Sequence, residues 1–148
     1  MSALKSQITE VLKASMRQRE METITVIRSV QAAIKQIEVD TREELDDARV
    51  LAVLEKQIKQ RKESISAFEG AGRDDLAVKE QFEIGVISQF LPAALSEQEL
   101  DTLIEKEISE QGATTIRDMG KVMNALRPKI AGRADASIVS GKIKSRLA

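Results

Sequence analysis

Residues 46–72 read DDARVLAVLEKQIKQRKESISAFEGAG, a long segment with a clear apolar repeat. The large apolar residues recur about every three or four positions, at Val50, Leu54, Ile58, Ile65 and Phe68. This period predicts an amphipathic helix. Arg61 fills the remaining position of the stripe, and we expect it at the rim of the core with its charged end in water. Gly70 and Gly72 are predicted to end the helix.

The helical pattern extends far beyond this segment. Residues 1–69 contain no glycine and residues 1–91 contain no proline, while the chain is rich in Leu, Ile, Lys, Glu, Gln and Ala. These residues favour helices, and glycine and proline interrupt them. Sustained strand-like alternation is absent from the sequence. We therefore predict an all-α protein.

Seven helices are predicted, four before Pro92 and three after it. We expect them at about residues 2–16, 20–39, 46–69, 74–90, 96–111, 115–127 and 135–147. The apolar stripes of these helices, which are expected to face a core, include Ile37, Phe82 and Ile116. Gly112 is expected to end the fifth helix and Asp135 to cap the seventh. The sequence Ser96-Glu97-Gln98-Glu99 is a capping box, which predicts a helix start. The segment between Pro92 and Ser96 is therefore the expected boundary. It separates an N-terminal four-helix bundle, residues 1–92, from a C-terminal three-helix bundle, residues 96–148.

The composition excludes several kinds of chemistry. The 148 residues contain no cysteine, histidine, tryptophan or tyrosine, and three phenylalanines. Disulfides, thiolate or imidazole catalysis and zinc sites built from these residues are thus excluded. The sequence also lacks the spacings of a P-loop, a dinucleotide-binding loop and an EF-hand. We predict no catalytic residues, no cofactor and no metal.

The first sixteen residues, MSALKSQITEVLKASM, contain no continuous apolar segment. No apolar run in the chain approaches the length of a membrane span. From this pattern we expect a cytoplasmic protein without a targeting segment and without a membrane partner.

The net charge of −1 conceals a strong segregation of charge along the chain. Residues 69–111 contain three basic and eleven acidic residues, a net charge of −8. Residues 112–148 contain eight basic and two acidic residues, a net charge of +6. The basic residues of this tail are Arg117, Lys121, Arg127, Lys129, Arg133, Lys142, Lys144 and Arg146.

Such a tail is consistent with a surface that binds phosphate groups. The candidate nucleic-acid contacts are Arg117, Lys121, Arg127, Lys129, Arg133, Lys142 and Arg146. With so few aromatic residues, we expect recognition of the shape and backbone of a folded RNA rather than of unpaired bases. The alternatives are a solvated basic face, or a face that pairs with the acidic helix predicted at residues 96–111.

Two segments carry a family resemblance. They resemble the YqeY family of small bacterial proteins. The first is residues 58–92, IKQRKESISAFEGAGRDDLAVKEQFEIGVISQFLP, and the second is residues 119–147, MGKVMNALRPKIAGRADASIVSGKIKSRL. The second segment is also similar to the tail domain of GatB. GatB is a subunit of the glutamine-dependent amidotransferase that matures misacylated Asp-tRNA(Asn) and Glu-tRNA(Gln).

The resemblance implies a four-helix bundle followed by a three-helix bundle, and a C-terminal domain that contacts tRNA. Lys121 and Arg133 match the tail motif and become the strongest contact candidates, whereas Gly120 and Gly132 are expected to serve packing and turn geometry. The amidotransferase's nucleotide-using and amidase parts have no counterpart here.

The expected function is thus that of a non-catalytic accessory protein of translation that binds the tRNA backbone. One alternative is a protein–protein adaptor without a nucleic-acid role. The other is an accessory subunit of an amidotransferase. The sequence leaves the oligomeric state open.

Overall fold

The computed structural model describes residues 2–148, which form seven α-helices and one short 3-10 helix, with no β-strand among them. The prediction of an all-α protein is confirmed. The α-helices are α1 (Ala3–Arg17), α2 (Met21–Thr41), α3 (Asp47–Gly70), α4 (Asp74–Ser88), α5 (Glu97–Gln111), α6 (Met119–Ile130) and α7 (Ala136–Leu147). The 3-10 helix, Ile116–Asp118, directly precedes α6.

The chain divides into two compact units, one ending at Leu91 and the other beginning at Pro92. The first unit contains α1–α4 and the second contains α5–α7. The packing of each set as a regular bundle, and the domain limits 1–92 and 96–148, remain predictions.

The first unit has its own apolar core. Its fully buried side chains are Ile8, Ile27, Val30, Val50, Leu54 and Ile87, contributed by α1, α2, α3 and α4. The packing of α3 is most extensive against α4.

Arg61, on α3, does not leave its charged end in water as expected. Its side chain is 16% exposed, and its Nε donates a hydrogen bond of 3.0 Å to Glu83 of α4. Because α4 brings a carboxylate to the rim of the core, the guanidinium is paired inside the unit instead of being solvated.

The second unit is built around a smaller core. Its fully buried side chains are Ile104 of α5, Val122 and Leu126 of α6, and Val139 and Ile143 of α7. Helix α6 packs against both α5 and α7. Six of the eight basic residues of the tail therefore lie on two helices, α6 and α7, that pack against the acidic α5, while Arg117 lies in the 3-10 helix and Arg133 in the loop before α7.

The capping signals of α5 and α7 work as predicted. The Ser96 hydroxyl accepts a hydrogen bond from the Glu99 N–H at 3.1 Å, and the Glu99 carboxylate accepts one from the Ser96 N–H at 3.2 Å. Gly112 follows α5 with a φ of +63°, which a residue without Cβ adopts without strain. The Asp135 carboxylate accepts a hydrogen bond from the Ser137 N–H at 2.8 Å and caps α7.

The limits predicted for the sixth helix are wrong at both ends. The chain from Ile116 to Asp118 is a 3-10 helix, and α6 then continues through Pro128 to Ile130. A proline within a helix removes one backbone donor and normally interrupts it. Here Pro128 is only two residues from the helix end, and the last turn places Ile130, 3% exposed, in the core.

Three apolar residues predicted to face a core are exposed. Ile37 is 38% exposed, and Phe82 and Ile116 are each 44% exposed. The residues of α4 that are buried include Ile84 and Ile87, and the face of α4 that they define turns Phe82 toward solvent. The period of the sequence alone fits either face.

None of the helices in residues 2–148 combines the length and the apolar character needed to cross a membrane.

Candidate nucleic-acid interface

Two basic residues of α7 pair with one carboxylate of α5. The Lys142 Nζ lies 2.8 Å and an Arg146 Nη 3.2 Å from the same oxygen of Asp101. The hydrogen bond from Lys142 is the main cause that lowers the pKa of Asp101, and the same bond raises the pKa of Lys142. Longer pairs join Lys142 to Glu97 at 3.6 Å and Arg146 to Glu105 at 3.8 Å, so the charges of Lys142 and Arg146 are largely balanced within the unit.

A third candidate, Lys129, pairs with a buried acid. Its Nζ donates a hydrogen bond of 2.8 Å to Glu107, whose side chain is only 4% exposed. Gln111 donates a second bond to this carboxylate at 3.1 Å. Both bonds lower the pKa of Glu107, that from Lys129 most strongly. Because a buried carboxylate needs partners to remain charged, we assign this pair a structural role.

Arg133, the fourth candidate, bonds to backbone groups instead of to an acidic side chain. Its Nε donates a hydrogen bond of 2.9 Å to the carbonyl of Ala93, and its own carbonyl accepts one of 2.9 Å from the Leu95 N–H. Gly132 precedes it with a φ of +72°, in agreement with the turn role expected for this glycine. The two bonds hold the arginine against the segment that leads into α5.

The remaining three candidates, Arg117, Lys121 and Arg127, are exposed. Within the part of the chain that the structure describes, their side chains have no ion pair and no hydrogen bond. We call these three residues the α6 cation row. They are the members of the predicted set whose charges are most available to an external anion.

The geometry of the row follows from the helix. Lys121, Asn124 and Arg127 are three residues apart and all exposed, so they follow one another along the solvent side of α6. Lys121 and Arg127 are six residues apart on α6, about 9 Å along the helix axis, and Arg117 lies in the 3-10 helix directly before α6. The sequence of α6, MGKVMNALRPKI, contains no acidic residue.

The nearest acid in sequence, Asp118, is already engaged. Its carboxylate accepts hydrogen bonds from the N–H groups of Thr114, at 3.0 Å, and Thr115, at 3.2 Å. These bonds are the main causes that lower its pKa, and the charge of Lys121 adds a smaller effect. Asp118 thus orders the start of the 3-10 helix and leaves the row only partly neutralised.

Two further exposed residues of the second unit, Lys144 on α7 and Asn124 on α6, were not among the predicted contacts. Lys144 is exposed and makes no side-chain ion pair in residues 2–148. The helical spacing indicates this difference. Lys142 and Arg146 are four residues apart and share one face of α7, whereas Lys144 lies between them in sequence and faces another direction. Asn124 is signalled in the same way by its three-residue spacing from Lys121.

Gly120 does not show the packing role expected for it. A Cβ at this position would meet no other atom within 4 Å among the described residues. The residue is exposed on α6, next to Lys121.

Among residues 2–148, the side chains of Asp and Glu form no group of three with the spacing of a metal site.

These features define an all-α protein whose C-terminal helical unit carries a row of unpaired cations. The chain belongs to the Yqey-like protein family, whose family model matches residues 5–147. This confirms the resemblance of residues 58–92 and 119–147 to the YqeY family.

Curated relatives are found in fungi. The chain is 32% identical over 139 residues to "Altered inheritance of mitochondria protein 41, mitochondrial" of Pyrenophora tritici-repentis, covering 90% of this chain and 75% of the relative. It is 29% identical over 142 residues to the protein of that name in Vanderwaltozyma polyspora, covering 91% and 77%. The one in Kluyveromyces lactis is 32% identical over 146 residues, covering 97% and 74%.

These names correct one expectation. The cytoplasmic location predicted from the first sixteen residues is contradicted, because the relatives are named as mitochondrial proteins. An apolar targeting segment is the wrong signal to seek in such a case, since mitochondrial presequences are amphipathic.

Proposed function

We propose that the second unit binds the phosphate backbone of folded tRNA through the α6 cation row, and that the protein is an accessory factor of translation. The observation that carries this proposal is the row itself: Arg117, Lys121 and Arg127 are exposed, and their side chains form no ion pair in the described residues. The similarity of residues 119–147 to a tRNA-contacting tail domain selects tRNA among phosphate polymers.

Ion pairs within the second unit determine which of its lysines and arginines are available to bind phosphate groups. A free lysine or arginine that neutralises a phosphate releases condensed counterions, which favours binding. Lys129, by contrast, would have to leave the buried carboxylate of Glu107, and Lys142 would have to leave Asp101. The cost of breaking these pairs offsets what a phosphate contact would contribute.

The proposal is tested by removing the row's charge. In the triple variant Arg117→Gln, Lys121→Gln, Arg127→Gln, we expect the affinity for tRNA at low salt to fall by roughly tenfold or more, because about three phosphate contacts are lost. Fluorescence anisotropy of labelled tRNA measures this directly.

A matched control removes the same charge from the first unit. Lys56, Lys59 and Lys62 are three exposed lysines of α3 at three-residue spacing, with no side-chain ion pair in residues 2–148. Their triple replacement by Gln is expected to leave tRNA affinity within about twofold of the wild type. Equal losses in the two triple variants would reduce the effect to net charge.

No tRNA binding by the wild-type protein would remove the nucleic-acid role and favour the protein–protein adaptor. A role as accessory subunit of an amidotransferase rests on the resemblance to GatB. It is tested separately, by co-purification with such an enzyme after nuclease treatment.

A further inference from the structure

The second unit has a groove of about 500 Å³ that lies apart from the α6 cation row. Its apolar lining comes from Leu95, in the segment before α5, and Leu103 on α5. Its charged lining comes from Lys106, Lys129 and Arg133, together with the acidic Glu99. A volume of this size is within the range of small-molecule sites, which combine an apolar surface with a few placed polar groups.

The floor of the groove is held in place. Leu95 and Leu103 are both half-buried and pack against the core of the second unit. The Leu95 N–H also donates a hydrogen bond of 2.9 Å to the carbonyl of Arg133. The apolar surface and the arginine are thus fixed to each other before any ligand arrives, which lowers the ordering cost of binding.

The guanidinium of Arg133 has one edge available. Its Nε is occupied by the carbonyl of Ala93 at 2.9 Å. In residues 2–148 its two terminal nitrogens have no hydrogen-bond or ion-pair partner. Arginine binds carboxylates through two parallel N–H donors. Because Nε is occupied, the two N–H donors that remain for a carboxylate are those of the two terminal nitrogens.

The acids around the groove leave a second cation within reach. The carboxylate of Glu99 accepts a hydrogen bond in the cap of α5 and also interacts electrostatically with Arg133, while the carboxylate of Glu107 is bound to Lys129. Lys106 pairs with Glu110 at 3.9 Å, and both side chains are more than half exposed. An exposed pair at this distance contributes little, so Lys106 is able to exchange its partner for a ligand.

We propose that this groove binds a small organic anion in which a carboxylate is attached to an apolar group. The carboxylate pairs with the terminal nitrogens of Arg133 and is approached by Lys106, while the apolar group covers Leu95 and Leu103. The proposal uses no residue of the α6 cation row and stands independently of tRNA binding.

The test uses 2-naphthoate as the probe and amide NMR of the full chain as the readout. We expect saturable shifts at the amides of Leu95, Thr102 and Leu103. Acetate, which lacks the apolar group, and naphthalen-2-ylmethanol, which lacks the charge, are expected to bind at least about tenfold more weakly, since each loses one of the two contributions. Shifts that do not saturate, or that lie outside the groove, would overturn the proposal.

Variants separate a specific site from general attraction. Arg133→Gln is expected to weaken 2-naphthoate at least tenfold, whereas Lys144→Gln removes the same charge from an exposed site and should have no effect. Thr102→Trp fills the groove from an exposed position that the core does not depend on, and should also abolish the shifts. Wild-type affinity in both Arg133→Gln and Thr102→Trp would reject the groove as the binding site.

Discussion

The carboxylate of Asp101 pairs with two basic residues that the sequence suggested as phosphate contacts. Lys142 and Arg146 are four residues apart, a spacing that suggested a common phosphate-binding face. The same spacing directs both side chains to Asp101, at 2.8 and 3.2 Å. Whether a cation is available to a ligand thus depends on a partner about forty residues away, and the sequence offered this pairing only as an alternative.

A charge-neutral replacement of Asp101 tests this interpretation. Asp101→Asn removes the shortest pairs of Lys142 and Arg146 and leaves the longer ones, to Glu97 at 3.6 Å and to Glu105 at 3.8 Å. We expect tRNA affinity to rise by roughly three- to tenfold at low salt, because both cations can then exchange these exposed partners for phosphates. Fluorescence anisotropy provides the measurement. Glu69→Gln makes the same change of charge at an exposed position of the first unit and should have a much smaller effect. An unchanged affinity in Asp101→Asn would mean that α7 does not approach the RNA.

At the scale of the helices, local signals fixed some limits and missed others. The capping box at Ser96 and the cap at Asp135 depend on residues within three positions, so the sequence was sufficient to place those helix starts. Phe82 and Pro128 were misjudged because their environments depend on which face of α4 packs inward and on where Ile130 is buried.

Glycines within and after helices give a test at this scale. Gly85 lies inside α4, and a Cβ there would meet nothing within 4 Å, so Gly85→Ala should stabilise the protein by about 1 kcal/mol. Gly112 has a φ of +63°, so Gly112→Ala should destabilise it by roughly 1–2 kcal/mol. Urea denaturation followed by circular dichroism measures both. Loss of stability in Gly85→Ala would indicate a close neighbour of α4 in solution.

At the scale of the molecule, the sequence was informative about fold class and uninformative about charge partition. Periodicity and the scarcity of helix breakers in the first ninety residues are enough to predict an all-α protein. The pairing of α5 with α6 and α7, and the groove that joins Leu95 to Arg133, arise from contacts between distant segments. The composition therefore gives the number of basic residues, but it does not show which of them form ion pairs within the protein.

The acids and bases of the whole molecule predict a flat stability profile around neutral pH. The carboxyls with a lowered pKa are Glu38, Asp47, Asp75, Glu99, Asp101, Glu107 and Asp118. A lowered pKa in the folded state means that each carboxyl favours folding above its ordinary pKa. That contribution is lost as the pH falls through the folded value.

The lysines behave in the opposite sense. The pKa values of Lys5, Lys129 and Lys142 are raised above 10.5, so their contributions are present below that pH and are lost as the pH rises through the folded values. With no histidine or cysteine to titrate, the urea midpoint should be constant from about pH 5.5 to pH 7, below the titration of the α-amino group, and fall below about pH 4.5. A transition near pH 6.5 would contradict this assignment.

The salt dependence of tRNA binding tests the central claim most directly. Each phosphate contact contributes about 0.7 to 0.9 to the slope of log K against log salt concentration. Removing the α6 cation row with Arg117→Gln, Lys121→Gln and Arg127→Gln should therefore reduce the slope by about 2 to 3 relative to the wild type. The triple Gln variant of Lys56, Lys59 and Lys62 should keep the wild-type slope. If the slope is unchanged when the row is removed, or falls equally in both variants, the row is not the surface that binds RNA.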